Sequence, residues 1–266
     1  MKFIIVFLFF LCSAVSVHAE DLTAITDASS LTSGKIPTRI HISYTVNTGI
    51  GHGELNEVVD ITQKSDAHTF HIISDAQATG IYKVIKPGNI VRNSRGLVTD
   101  KGLQPSYYSD QRANKEPSLA LFDWESRVLT LKHKGRETQE PLAEGTQDRL
   151  SLSYHFIFVP DIEAQAELQL GKTFEVHVAD GRSLQLMRFL VGKERLNTPL
   201  GVMDTYVLTR IIDHDNSIQR KIWLAPQYHM IPVRIQSVEK DGLEVEKIIA
   251  EINVDYDDQT DSCCKH

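Results

Sequence analysis

Cysteine is nearly absent: the 266 residues hold three, and one of these, Cys12, lies in an N-terminal apolar run. Once that run is removed only Cys263 and Cys264 remain, side by side in the tail "DQTDSCCKH". Adjacent Cα atoms lie about 3.8 Å apart, too close for ordinary disulfide geometry, so no internal disulfide framework is available. With His266 as their only neighbouring ligand, the pair has poor zinc spacing, and no metal site is expected. The chain also lacks a second long apolar run. "FIIVFLFFLC", Phe3 to Cys12, is the longest, and it falls well short of the roughly 20 residues a bilayer span needs. Clusters of lysine and arginine are missing too. Without Lys2 the chain has 27 basic residues against 35 acids, which excludes an electrostatic footprint for nucleic acid or an anionic lipid surface. "HExxH" and a "GxSxG" elbow are absent, so neither zincin nor elbow-type serine chemistry is expected. Gly49, Gly51 and Gly53 do not form a phosphate cradle either, because a β-type segment follows them where a helix should begin.

What is present begins with a leader. "MKFIIVFLFFLCSAVSVHAED" joins Lys2, the apolar run and the small-residue site "VHA". That is the pattern of a secretory signal peptide, residues 1–19, with cleavage expected after Ala19. The mature chain is therefore expected to be exported and to carry no transmembrane anchor.

The remainder alternates. "RIHISYTVN" puts Ile40, Ile42, Tyr44 and Val46 on one face and His41, Ser43 and Thr45 on the other, the pattern of a half-buried strand. Similar segments recur, among them "HTFHIISDAQ", "GIYKVIKPG", "NIVRNSRGLV", "SLALFDWES" and "RVLTLKHKG". "KTFEVHVADGRSLQLMRFLV" carries Asp180-Gly181 between two alternating runs, a hairpin signal. Asn216-Ser217 and Asp241-Gly242 mark further reversals. A dozen or so strands joined by turns predict a mainly β protein: a large curved antiparallel sheet, as a barrel or half-barrel. One short helix, about 147–158, is expected to pack against it.

That helix starts in "GTQDRLSLSYHF", the stretch most like an active-site motif. Thr146 is read as its N-cap, Asp148 as an acid serving the first turn, and Arg149 as a solvent-facing neighbour. Leu150, Tyr154, Ile157 and Phe158 recur at helical spacing, although the strict alternation of Leu150, Leu152, Tyr154, Phe156 and Phe158 would also suit a strand. On a helix, Asp148, Ser151 and His155 could share a face. Packing is the default reading of the three, and no catalytic residue is assigned.

"PSYYSDQR", "LFDW", "GTQDRLSLSYHF", "LGVMDTYVLTR" and "IWLAPQYHMIPVRI" follow one another in an order and spacing that resemble a family of exported bacterial proteins, domain of unknown function 3108 (DUF3108). The resemblance covers about residues 35–255 and leaves 256–266 as a flexible tail. It implies a periplasmic location in a Gram-negative bacterium and brings no established reaction or site. "KIWLAPQYHMIPVRIQ" is also similar, more weakly, to a hairpin of periplasmic lipoprotein-carrier-like proteins, although Ala225-Pro226 stands where that pattern often has Asp. That similarity implies a curved antiparallel sheet around a helical plug, with an apolar groove between them.

The expected function is a non-catalytic, cofactor-free binding or carrier module with an apolar cleft for a lipid or another envelope component. Trp124, Tyr154, Phe158 and Trp223 are the expected ligand-binding residues, since aromatics supply large apolar area with a polar handle. One alternative is a structural or interaction protein of the envelope that docks a protein partner at a sheet edge. The other is a hydrolase using Asp148, Ser151 and His155.

Overall fold

The computed structural model describes residues 36–49, 51–80, 83, 88–159, 167–212, 219–238 and 242–256. The leader, Cys263 and Cys264, the reversal at Asn216-Ser217 and most of the predicted strand "GIYKVIKPG" lie outside that set.

Among the described residues fifteen strands, numbered in chain order from β1 (Arg39–Thr48) to β15 (Glu244–Asp255), make one sheet. Nearly all of it is an antiparallel meander. β1 pairs with β2 (Gly51–Lys64) on one side and with β15 on the other, so the two ends of the described chain meet in mid-sheet. The edges are β8 (Arg136–Pro141) and the two-residue β9 (Gln147–Asp148).

Those edges are consecutive in sequence. A connection from Pro141 to Gln147 reaches about 20 Å at most, so the sheet must curl until its two ends stand close together. Side chains complete what the ladder leaves open: Gln147 Nε2 donates to the Leu103 carbonyl on β5 (Gly102–Arg112) at 2.8 Å. Every residue of β8 is exposed, and the strand carries Arg136, Glu137, Glu140 and a terminal Pro141. Charge and proline are how exposed edges are kept from pairing with other chains.

Alternation explains which face turns inward. In β1, Ile40, Ile42 and Tyr44 are buried, as the sequence predicts. In β2 the inward row is Gly53, Leu55, Glu57, Val59 and Ile61, which places a carboxylate among aliphatics. Asp180-Gly181 joins β10 (Thr173–Ala179) to β11 (Leu184–Thr198) as expected, with Asp180 Oδ1 accepting the Arg182 and Ser183 N–H groups at 3.0 and 2.9 Å. At Gly96, in β4 (Ile90–Thr99), a bulge brings the backbone so near β5 that a Cβ would stand 2.1 Å from the Gln104 carbonyl oxygen. Only glycine fits there.

The helix is shorter than the sequence predicts. Gln147 and Asp148 pair in parallel with Val178 and Ala179 of β10. The α-helix, α1, is Ser151–Tyr154, and a 3-10 turn over His155–Ile157 continues it. Thr146 is not its N-cap: its hydroxyl donates back to the Ala143 carbonyl at 2.7 Å, and the residue in the cap position is Leu150. All four residues of α1 are buried. This short plug fills the concavity of the sheet, where Leu150 and Tyr154 join one apolar cluster and Leu152 and Phe156 another.

Candidate functional site

A polar layer crosses the interior beside the plug. Glu57 projects inward from β2 and is 2 % exposed. Its carboxylate accepts the Ser74 hydroxyl at 2.7 Å and the Tyr154 hydroxyl, and Lys247 Nζ of β15 lies 3.9 Å away. Tyr44 donates to the Pro232 carbonyl at 2.7 Å and stands 3.4 Å from the Tyr154 hydroxyl. Burial, with Glu57 beside them, pushes both tyrosines well above their ordinary range, so they stay neutral donors.

A second carboxylate, Asp110 of β5, has a nearly buried side chain and faces Arg92, Arg112 and Arg182 at 3.6, 3.4 and 3.7 Å. Burial alone would raise its pKa, but the three guanidinium groups outweigh it and hold Asp110 below the usual carboxylate range. Near them converge Arg149, Arg220 and Lys247. Arg220 is pushed down to about 9 and Lys247 to about 8, each mainly by desolvation, with neighbouring cations adding to the shift. Both side chains keep some surface open, because they border an internal cavity and not the outer face.

Two cavities flank the plug. The first, of about 1280 Å³, includes Ile40, Val98, Phe156, Phe158, Met230 and Val254 in its lining, together with Lys193, Glu194, Arg195 and Asp204. The second, of about 1070 Å³, includes Arg92, Arg149, Arg220 and Lys247, with Leu150 and Ser153 of the plug. Positions along the strands separate them. Ile40 of β1 and Val254 of β15 belong to the first, whereas Val46 and Thr48 of β1 and Val245 and Lys247 of β15 belong to the second. The curled sheet thus has two mouths, one with an apolar wall and balanced charges and one cationic, with Tyr154 between them.

The four aromatic residues expected at a ligand site are dispersed. Phe158 lines the first cavity. Tyr154 is fully buried against Glu57. Trp223 is buried in β13 (Gln219–Ala225) and reaches the first cavity only through Glu194, to whose Oε2 its indole donates at 2.8 Å. Trp124 stacks on Phe122 and donates to the Pro105 carbonyl at 2.7 Å, away from both cavities. Glu57, Arg92, Arg220 and Lys247 are not among the residues the sequence predicts for a site.

Phe158 is only part-buried against the core, and the fully packed ring at this end of the plug is Phe156. We expect Phe158→Ala to destabilise by about 1–2 kcal/mol in urea unfolding, as a part-buried ring at a cavity wall should. A loss of about 3 kcal/mol or more would mean that Phe158 is a core residue and not part of a cavity wall.

Asp148, Ser151 and His155 do not assemble as a triad. Asp148 is a buried turn-former: Oδ1 accepts the N–H groups of Leu150 and Ser151 at 2.8 and 2.9 Å, and Oδ2 accepts the Ser94 hydroxyl at 2.5 Å. The Ser151 hydroxyl accepts the Asp148 N–H at 2.8 Å and faces the Asp148 carbonyl at 3.4 Å, so it serves the same turn. His155 Nδ1 has no hydrogen-bond partner, and burial pushes the ring down to about 4, leaving it neutral at pH 7. Arg149 is half-buried in the wall of the second cavity, not solvent-facing as expected. Among the described residues no group of three or more His, Cys, Asp or Glu side chains is placed to hold a metal ion. No described helix is long and apolar enough to cross a membrane.

Residues 39–247 match the model of a family described as "Protein of unknown function (DUF3108)". No curated protein matches the chain in sequence. Among solved structures it is similar to a beta-barrel-like protein of domain of unknown function DUF1849 from Brucella abortus, at 10% identity over 82% of this chain and 98% of that one, with a TM-score of 0.49. It is also similar to a DUF1329 family protein from Desulfovibrio piger, at 9% identity over 87% and 90% of the chains and a TM-score of 0.24. A third likeness is to a domain described as an outer membrane lipoprotein-sorting protein from Vibrio parahaemolyticus, at 11% identity over 88% and 90%, with a TM-score of 0.20.

Proposed function

The chain belongs to the DUF3108 family, whose function is unknown, and we propose that it is an exported, non-catalytic binding or carrier module of the bacterial envelope that holds a hydrocarbon chain in its apolar mouth. The observation that carries this reading is the first cavity, bordered by the Phe156–Val159 end of the plug and by Ile40, Val98 and Met230. Its volume of about 1280 Å³ exceeds the roughly 300–1,000 Å³ of ordinary small-molecule sites, and its apolar wall faces charges that balance, Lys193 and Arg195 against Glu194 and Asp204, so the site as a whole favours no ion of either sign. The leader at residues 1–19 supports export to the periplasm. The ligand class is an acyl chain or a similar apolar part of an envelope component.

Nile red, a neutral apolar dye, tests the reading without engaging the charged mouth. Saturable binding at one dye per chain is expected, with displacement by a long-chain alcohol. Met230→Asp, which sets a carboxylate in the cavity wall, should weaken binding about tenfold or more. Mass spectrometry of organic extracts from protein purified out of its own periplasm should return an apolar compound at near one-to-one ratio. Non-saturable dye uptake, or equal uptake by a folded Met230→Asp variant, would remove the basis of the proposal.

A further inference from the structure

The second mouth has a different chemistry. Seven lysine and arginine side chains contribute to its lining, against the three carboxylates of Glu54, Glu57 and Asp180. Two of these acids are engaged elsewhere, and Glu54 is exposed. Glu57 is held by Ser74 and Tyr154, and Asp180 caps its own turn through the Arg182 and Ser183 N–H groups. Asp110, just behind the wall, neutralises part of Arg92, Arg112 and Arg182.

That leaves Arg149, Arg220 and Lys247 with little counter-charge. Among the described residues no carboxylate stands within 4 Å of Arg149 or Arg220, and the carboxylate beside Lys247 is Glu57 at 3.9 Å. Arg220 has one hydrogen bond, from Nη2 to the Ser153 hydroxyl at 3.4 Å, while its Nε is buried without a partner. The Nε atom of Arg112 is likewise buried without a hydrogen-bond partner, and that of Arg92 has Asp110 Oδ2 at 3.6 Å, beyond hydrogen-bond distance. A guanidinium carries five N–H donors in a planar fork matched to two oxygens of one anion. Several such forks converging on a recess, with unfilled donors and surplus positive charge, are expensive to bury unless an anion completes them.

We infer that the cationic mouth binds a phosphate-type oxyanion, gripped by Arg149, Arg220 and Lys247 with Arg92 behind them. This goes beyond the apolar-ligand reading and rests on a separate cavity at the opposite end of the plug. Phosphate suits the site better than a single carboxylate because its charge matches a surplus of several cations, and arginine forks recognise it in bidentate fashion. A volume of about 1070 Å³ leaves room for the body of a molecule that carries the phosphate.

The mature full-length protein, titrated calorimetrically with inorganic phosphate, decyl phosphate and decanol, tests the inference. Binding of inorganic phosphate as tight as that of decyl phosphate identifies a free oxyanion as sufficient. Binding of decyl phosphate alone, with decanol inert at this site, identifies the head of an anionic amphiphile. In either case R149Q/R220Q should weaken binding about tenfold or more, the scale of a lost charge-assisted hydrogen bond, while Nile red binding at the other mouth stays unchanged. Binding should also weaken steeply as salt is added. Should the double variant fail to fold, R149Q alone serves, because the Arg149 side chain supports no described hydrogen bond or ion pair. Failure of both phosphate probes to bind the wild type, or undiminished binding in a folded variant, overturns the inference and leaves the apolar-mouth proposal standing.

Discussion

Glu57→Ala should destabilise the protein by about 3–5 kcal/mol, the usual penalty for removing one partner of a buried ion pair. Set against the roughly 5–15 kcal/mol that holds a domain together, this is a large fraction of the whole. The reason lies in how many groups depend on one carboxylate. Glu57 accepts from Ser74 and Tyr154 and is the nearest counter-charge to Lys247. With alanine in its place, two buried hydroxyls lose their acceptor, and Lys247 faces Arg92, Arg149 and Arg220 uncompensated. Glu57→Gln should cost less, because it keeps an acceptor for Ser74 or Tyr154 and loses only the charge. Lys247→Met in the Glu57→Ala background should recover part of the loss, so the two changes will not add. Urea unfolding at neutral pH measures all four proteins. If Glu57→Ala stays within about 1 kcal/mol of the wild type, water in the cavity stabilises the cations and the carboxylate is dispensable.

The sheet was largely legible because period-two alternation is a local signal. Ile40, Ile42 and Tyr44 announce β1 without help from the rest of the chain, and Asp180-Gly181 announces the β10–β11 hairpin. β8 was not legible, since "RETQEP" has no apolar face, and β9 was hidden because two residues carry no period. "GTQDRLSLSYHF" satisfies helix and strand templates together. The parallel pairing of Gln147 and Asp148 with β10, a tertiary event, decides where one gives way to the other.

One part of the polar site did leave a trace. Glu57 stands in phase with Leu55, Val59 and Ile61, and an acid on the apolar side of an alternating strand needs a buried partner. What the sequence could not convey is who those partners are. Lys247 reaches Glu57 only because β15 docks against β1, and Arg92, Arg149 and Arg220 come from three further segments. The cationic mouth is a product of topology, assembled from residues that look like ordinary solvated charges one at a time.

The second large effect is one of pH, at Asp148. Its carboxyl is fully buried, and desolvation raises its pKa from an ordinary 3.8 to about 6, even though Ser94, Ser151 and Leu150 all donate to it. The folded state therefore holds a proton on Asp148 between about pH 4 and 6, where the unfolded chain has already released it. Stability falls as pH rises through that window, and above about pH 6 the protein carries the full cost of a buried charge, about 3 kcal/mol. Asp110 has the opposite sign. Its pKa is depressed, so its contribution is present above its ordinary pKa and disappears only as pH falls below about 4. Asp148→Asn isolates the first effect. Its amide oxygen can accept from Leu150 and Ser151, and its NH₂ can donate to the Ser94 hydroxyl. The turn that sets α1 between the two mouths should then survive without the titration. Asp148→Ala removes the acceptors as well, leaves two buried N–H groups and a hydroxyl unpaired, and should cost about 2–4 kcal/mol relative to Asp148→Asn. Urea unfolding from about pH 4 to 8 should show the wild type losing stability relative to Asp148→Asn through about pH 4–6, then running parallel to it. Parallel curves over the whole range would show that Asp148 is ionised throughout, with the three donors of its turn outweighing the burial.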